Sequence, residues 1–360
     1  QDITDLINNE SGSIHHHSTY RRWWATYQEG YKDGINAQQS DNDILREVKI
    51  TKQQTQDMRT ETNRWIRETA RHNLFSEQLF NSIKENFTFH PITYYPREHT
   101  ANINRNGVLF ISDQHYGAEF VIRGVHGEIL NEYSPEIFEQ RMQTILKETV
   151  EQIKRHHLNK IYIISCGDSL DGLLRHSQLM KLRWGVVDCT VKYAHYMFTW
   201  LTALSQFVDI EFHTVQGNHT ELRLLDGKKN QHEEENLDKI IVDIIDNSVK
   251  LTNNHAINTV GSNSPFAFVE LPCGYNIFGF HGETKNLEKA WKNFENIYHI
   301  NIDYLACGHL HHYNNLQLGY KKGAIRVGSI IGVDSYSMKI KQCADATATF
   351  GVFEENKGLV

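Results

Sequence analysis

Gly107-Val-Leu-Phe-Ile-Ser-Asp-Gln-His115 decides how this chain is read. Val108–Ile111 is an uninterrupted apolar run, short enough for a strand buried on both faces. Directly after it come two side chains that bind metals, Asp113 and His115. The same order, strand and then polar cluster, returns four times. Lys160–Ser165 leads into Gly167, Asp168 and Asp171, and Ile210–Val215 into Gly217, Asn218 and His219. Tyr275–Phe280 leads into His281 and Gly282, and Asp303–Ala306 into Gly308, His309 and His311. In open α/β sheets, sites form outside the carboxyl ends of the strands, so five such ends can converge on one crevice.

Helical segments lie between these strands. Ser134 and Pro135 open one as N-cap and first helical residue, with Phe138, Met142, Ile145, Leu146 and Ile153 as its buried stripe. Val186–Phe207, Glu234–Ile245 and Asn286–Tyr298 read as further helices. More strands are expected at Ala267–Leu271, Ala324–Val327 and Thr347–Phe353. The alternation predicts an α/β fold with an antiparallel part toward the C-terminus, spanning 106–360.

Residues 1–105 differ, being polar and poor in strand-like runs, and are expected to form a helical region and linker. Tyr20, Trp23, Trp24, Tyr27 and Tyr31 give a short segment an aromatic face. The Asp57–Leu74 helix places Arg64, Arg67 and Arg71 opposite Trp65 and Ile66. Those arginines are candidates for phosphate contacts to nucleic acid. Glu61, Arg64, Glu68 and Arg71 are also spaced for intrahelical ion pairs, and this plainer reading is preferred. The apolar stripe of that helix is expected to dock on the catalytic domain or on a second subunit, giving a homo-oligomer.

Bulk properties exclude several classes. The 360 residues carry 37 Lys+Arg against 44 Asp+Glu, a net charge of -7, so bulk charge does not hold this protein on nucleic acid. Apolar runs fall far short of the roughly 20 residues that span a bilayer, and no apolar leader opens the chain, so a cytoplasmic protein without membrane contact is expected. Five scattered cysteines support neither a disulfide framework nor a zinc ribbon. The abundant residue is histidine, at 21.

Asp113 and His115, like His309 and His311, are two apart and would project the same way from an extended segment. Gly167, Gly217 and Gly308 each precede a candidate ligand, where the chain must turn sharply and approach an ion closely. The donors are carboxylates, imidazoles and one amide oxygen. That mixture suits manganese, iron or zinc better than magnesium or calcium.

The ordered elements Asp-x-His, Gly-Asp, Gly-Asn-His, His-Gly and Gly-His-x-His resemble the calcineurin-like metallophosphoesterases over about residues 107–335. Each element alone is commonplace; five in this order at strand ends are specific. The resemblance implies a four-layer αββα sandwich with two mixed sheets and a dinuclear metal centre, with manganese first and iron, zinc or nickel as alternatives. It implies Asp113, His115, Asp168 and His311 around one ion, and Asp168, Asn218, His281 and His309 around the other. Asp168 would bridge, and His219 would be the general acid. Asp171 and Glu221 are candidates to orient ligand imidazoles.

Departures narrow the branch. No arginine follows Asp171, and residue 220 is Thr rather than Glu, against a phosphoprotein phosphatase. The chain resembles phage-encoded members related to repair exonucleases, on the segments Arg67–Arg71, Glu233–Asn236 and Gly328–Tyr336. The expected function is a metal-dependent phosphoester hydrolase that uses a bridging hydroxide, with DNA or RNA phosphodiesters as substrate. A small-nucleotide phosphatase or phosphodiesterase is the alternative, and a catalytically inactive binding scaffold ranks last because it has no need of all seven ligands.

Overall fold

The computed structural model describes residues 19, 21–32, 49–53, 55–56, 58–59, 104–172, 181–222, 235–261 and 265–360. The chain divides into two compact units, Gln1–Leu74 and Phe75–Val360. In the first, residues 21–32 are helical, and the rings of Trp24, Tyr27 and Tyr31 stack in series at the three- and four-residue spacing of one helix face. Arg64, Arg67 and Arg71 lie outside the described residues.

The second unit holds two mixed sheets. The larger has the order β13 (Gly358–Leu359), β12 (Thr349–Glu354), β1 (Arg105–Ile111), β4 (Lys160–Ser165), β5 (Asp209–Thr214), β6 (Ile257–Val260). From β1 to β6 it is parallel, and β12 runs antiparallel to β1. The smaller has the order β10 (Asn314–Gly319), β11 (Lys322–Arg326), β9 (Tyr304–Cys307), β8 (Tyr275–Phe280), β7 (Ala267–Leu271). A separate hairpin joins β2 (Phe120–Arg123) to β3 (Ile129–Tyr133).

Strand alternation builds the layers. Along β1, Val108 and Phe110 face one way and meet Val269, Ile277, Ala306 and Ile325 of the smaller sheet, so the two sheets share a core. Leu109 and Ile111 face the other way, toward helices α1 (Pro135–His156), α2 (Val186–Ser205) and α3 (Leu237–Thr252). The outer face of the smaller sheet buries Phe278, Phe280 and Leu305 under α4 (Leu287–Tyr298). Helix, sheet, sheet, helix is the four-layer α/β order that the resemblance implied. A short α5 (Ser335–Ile340) follows β11.

Local chemistry starts the helices where expected. The Ser134 hydroxyl accepts from the Ile137 N–H, with Pro135 in the first turn. Asn236 caps α3 through Asp238 N–H, so this helix begins at Leu237 rather than at 234, and it runs on to Thr252. The strands end level: Ile111 pairs with Ser165, Ser165 with Thr214, and Phe280 with Cys307. The polar clusters that follow them therefore leave the sheets at the same height.

Candidate metal centre

The loops after β1 and β4 are bonded to each other by their backbones. Asp113 N–H donates to Gly167 O and His115 N–H to Asp168 O. His309 N–H donates to Asp113 Oδ2 at 2.9 Å, which ties the smaller sheet to the larger. Gly217 and Gly308 are needed for close approach: a Cβ on Gly217 would sit 2.1 Å from Asp168 N, and one on Gly308 1.7 Å from Ser112 Oγ. Of the three glycines, Gly167 makes the sharp turn, at φ +91°.

The extended geometry expected for the two D-x-H and H-x-H pairs is not what the structure has. Asp113, His115, His309 and His311 all take positive φ, as does Asp168, with values between 44° and 71°. Their side chains converge because the backbone coils left-handed at each one. The price of that conformation is of order 1–3 kcal/mol per residue, and it persists only where the surroundings over-determine it.

All seven predicted donors gather into one cluster, five of them buried and Asn218 and His309 half-buried. Oδ1 of Asp113 lies 3.3 Å from His311 Nε2 and 3.9 Å from His115 Nε2, and those two nitrogens are 3.3 Å apart. His281 Nε2 is 3.0 Å from Asp168 Oδ2, 2.8 Å from Asn218 Oδ1 and 3.1 Å from His309 Nδ1. Oδ2 of Asp168 is also 4.0 Å from His115 Nε2, so this carboxylate joins the two halves. Asp113, His115 and His311 form one candidate metal-binding group, Asp168, His281 and His309 a second, and His115, Asp168 and His219 a third that overlaps both.

The donor set fits two cations. Asp113 Oδ1 is fully buried yet accepts no hydrogen bond. His281 Nε2 faces two oxygens and a nitrogen although one ring nitrogen carries at most one proton. Burial opposes charge on His281 and His311, but the carboxylates of Asp168 and Asp113 overcome it and lift both to about 9. Burial together with the neighbouring His281 pushes His309 down to about 4. The carboxylates of Asp113 and Asp168 are held well below their ordinary range against burial, by the surrounding histidines. The cluster therefore calls for positive charge, which divalent cations supply.

The rings are fixed from behind. Asp171 Oδ1 reaches Nδ1 of His115 and Nδ1 of His219, each at 3.2 Å. Cys166 O is 2.9 Å from His281 Nδ1. Asp334 Oδ1 is 3.3 Å from His311 Nδ1, and Tyr336 Oη 3.4 Å from His309 Nε2. Glu221 is buried beside Asn218, and its backbone pairs with Asn236. Sequence reading missed Asp334 and Tyr336, although both stand in the Gly328–Tyr336 segment that resembled the phage proteins. It also missed Asp238, a buried carboxylate that accepts from Gly217 N–H (2.9 Å), Thr220 Oγ1 (2.5 Å) and Ser169 Oγ (2.7 Å). Asp238 thereby clamps the loop of Asn218 and His219 to the loop of Asp168.

A cavity of about 830 Å³ adjoins the cluster, lined by Asn218 and His281 and extending to the exposed side of α4.

No family model matches the chain. It aligns over its whole length, at 30% identity across 374 residues and 90% of the relative, with the "SPbeta prophage-derived uncharacterized protein YonJ" of Bacillus subtilis (strain 168). Among solved structures, a Vps29 single mutant from Entamoeba histolytica is 14% identical, with a TM-score of 0.30 over 69% of this chain and 85% of that one. A dimetal phosphatase from Danio rerio is 12% identical, with a TM-score of 0.32 over 70% and 93%. Structural likenesses this slight carry no functional argument.

Proposed function

We propose that this chain, which belongs to the family of the prophage-derived YonJ protein, is a metal-dependent hydrolase of phosphoester bonds. The observation that carries the proposal is the pair of donor groups, Asp113–His115–His311 and Asp168–His281–His309, joined through the single carboxylate of Asp168. Divalent ions held by these donors would supply Lewis acidity toward phosphoryl oxygens and lower the pKa of water. Manganese is the first choice of metal, given imidazole, carboxylate and amide donors without thiolate.

The protein's own groups supply the rest. His219 sits at the rim, its side chain 15% exposed, with Nδ1 against Asp171 and Nε2 4.0 Å from Asp168 Oδ2. Asp171 accepts a hydrogen bond from Nδ1–H, so that in the doubly protonated ring the Nε2–H is the proton given to a departing oxygen. The loop N–H of His219 is anchored on Asp168 Oδ1 at 2.8 Å, which keeps this acid in register with the donor cluster.

Phosphodiesters of DNA or RNA are the substrate expected from sequence, and small nucleotides the alternative; the cavity beside the cluster favours the alternative. The test is to load metal-free protein with Mn²⁺ and assay linear DNA, RNA, cyclic dinucleotides and bis-p-nitrophenyl phosphate in parallel. Hydrolysis that disappears in Asp168→Asn is expected. Cleavage of the small compounds alone would remove the nuclease reading, and inert wild-type protein on every substrate would remove the hydrolase reading.

A further inference from the structure

We propose that the cavity next to Asn218 and His281 seats a single nucleoside of the substrate, its ring against the apolar wall made by Phe266, Phe294 and Ile297. This assignment rests on the phosphoester hydrolase reading and gives it a substrate class.

Position comes first. Asn218 and His281 belong both to the donor cluster and to the cavity lining. An ester whose phosphoryl group lies at the cluster therefore has its organic part within reach of the cavity. The volume, about 830 Å³, falls within the roughly 300–1,000 Å³ of small-molecule sites and is far too small for duplex nucleic acid.

The wall is apolar, aromatic and held in place. Phe266 and Phe294 meet edge to face at 5.3 Å, and Phe294 stacks on the buried Phe278 at 4.7 Å. Ile297 is 64% exposed at the same wall. A flat heterocycle covers such a surface, gaining contact with rings that lose little freedom on binding. The exposed amide of Asn293 borders the wall and offers both a donor and an acceptor to a base edge.

Charge separates a nucleoside from a nucleic-acid backbone. Lys239 and Lys289 line the cavity, but Glu221 and Glu283 line it as well. Among the described residues, two lysines against two glutamates leave no excess of lysine charge along the cavity. A track for successive phosphates needs a basic groove. This cavity instead suits one neutral ring, with the phosphate charge received at the cluster.

Ligand-detected NMR tests the assignment without turnover. Metal-free protein is mixed with adenosine 5′-monophosphate and saturated at its methyl resonances, and transfer to the adenine protons is read. Transfer is expected with wild type and is expected to fall about tenfold in Ile297→Glu, the scale of losing one buried aliphatic contact. Ile297 is a surface residue of α4, so the variant should melt like wild type; Phe294→Leu, which keeps the wall apolar but removes a ring, is the second variant and should weaken transfer less. Absent transfer with wild type, or equal transfer in Ile297→Glu, overturns the nucleoside site. A single-stranded oligonucleotide in place of the monophosphate shows whether the ring arrives free or as a chain end; transfer from neither overturns the proposal. Transfer to the monophosphate in metal-free protein, together with manganese-loaded protein that cleaves no phosphoester, would sink the hydrolase reading and leave the cavity assignment standing.

Discussion

Nδ1 of His219 stands 3.2 Å from Oδ1 of Asp171. That oxygen is equally close to Nδ1 of His115, so one carboxylate sets the ring of a candidate ligand and of the candidate acid together. Asp171→Ala should therefore weaken Mn²⁺ binding about 10- to 100-fold and also slow turnover at saturating metal. Calorimetric titration with Mn²⁺, followed by kcat at saturation, separates the two effects. A variant that lost only affinity would show that Asp171 does not serve His219.

His219→Gln should leave metal binding nearly intact and reduce kcat about 10²- to 10⁴-fold on a diester with a poor leaving group. With a good leaving group such as p-nitrophenolate the loss should be much smaller, because that oxygen departs without a proton. Equal losses on both substrates would assign His219 to binding rather than to proton transfer.

Metal should stabilise the folded chain. Ions bind the assembled donors and not the unfolded chain, so Mn²⁺ at 100 times its dissociation constant adds about 2.7 kcal/mol for each site filled. Thermal melts with Mn²⁺ and with chelator should differ for wild type, and the difference should vanish in Asp168→Asn. Gly217→Ala should lose it as well, since its Cβ would displace Asp168.

Asp238 should matter more than its distance from the cluster suggests. Asp238→Ala leaves Gly217 N–H and the Ser169 hydroxyl without their buried acceptor and Thr220 with only the Gly217 carbonyl, a loss of about 3 kcal/mol in urea melts. Asp238→Asn should lose about 1 kcal/mol, because its amide oxygen still accepts from Gly217 while Ser169 can turn to accept. Comparable losses for the two variants would rule out this hydrogen-bond account.

Glu211 gives a pH dependence remote from the cluster. The His213 ring at 2.9 Å and Lys160 at 2.6 Å hold its carboxyl down at about 2, against an ordinary 4.5. A depressed carboxylate stabilises the fold above its unfolded value and loses that contribution as pH falls toward the folded one. Solvent screening of this partly exposed group reduces the contribution to about 1 kcal/mol at neutral pH. Glu211→Gln should therefore be less stable than wild type at pH 7, and the gap should narrow as pH falls from about 4.5 toward about 2. A gap that held constant in urea melts across this window would assign the loss to packing.

The legible part of the fold was the part buried on both faces. Central strands such as Val108–Ile111 and Ile161–Ile164 read as apolar runs because both sides are covered. Strands β6, β10 and β13 escaped notice, and all three are sheet edges, where one side meets solvent and the pattern dissolves into polar residues. The hairpin of β2 and β3 lies outside both main sheets and is mostly exposed. In the cluster, the candidate donors were legible because their chemistry lies in the side chains. The clamp by Asp238 was not, because a carboxylate in the first turn of a helix reads as an ordinary partner for the helix dipole.

The left-handed backbone at Asp113, His115, Asp168, His309 and His311 limits the alphabet of this centre. Outside glycine, that conformation is tolerated best by Asn, Asp and His. Converting these positions to cysteine or glutamate would thus meet a conformational penalty before any question of coordination arose. A redesign toward a thiolate site would have to rebuild the loops first, so the main chain itself acts as a filter on which metals evolution could recruit here.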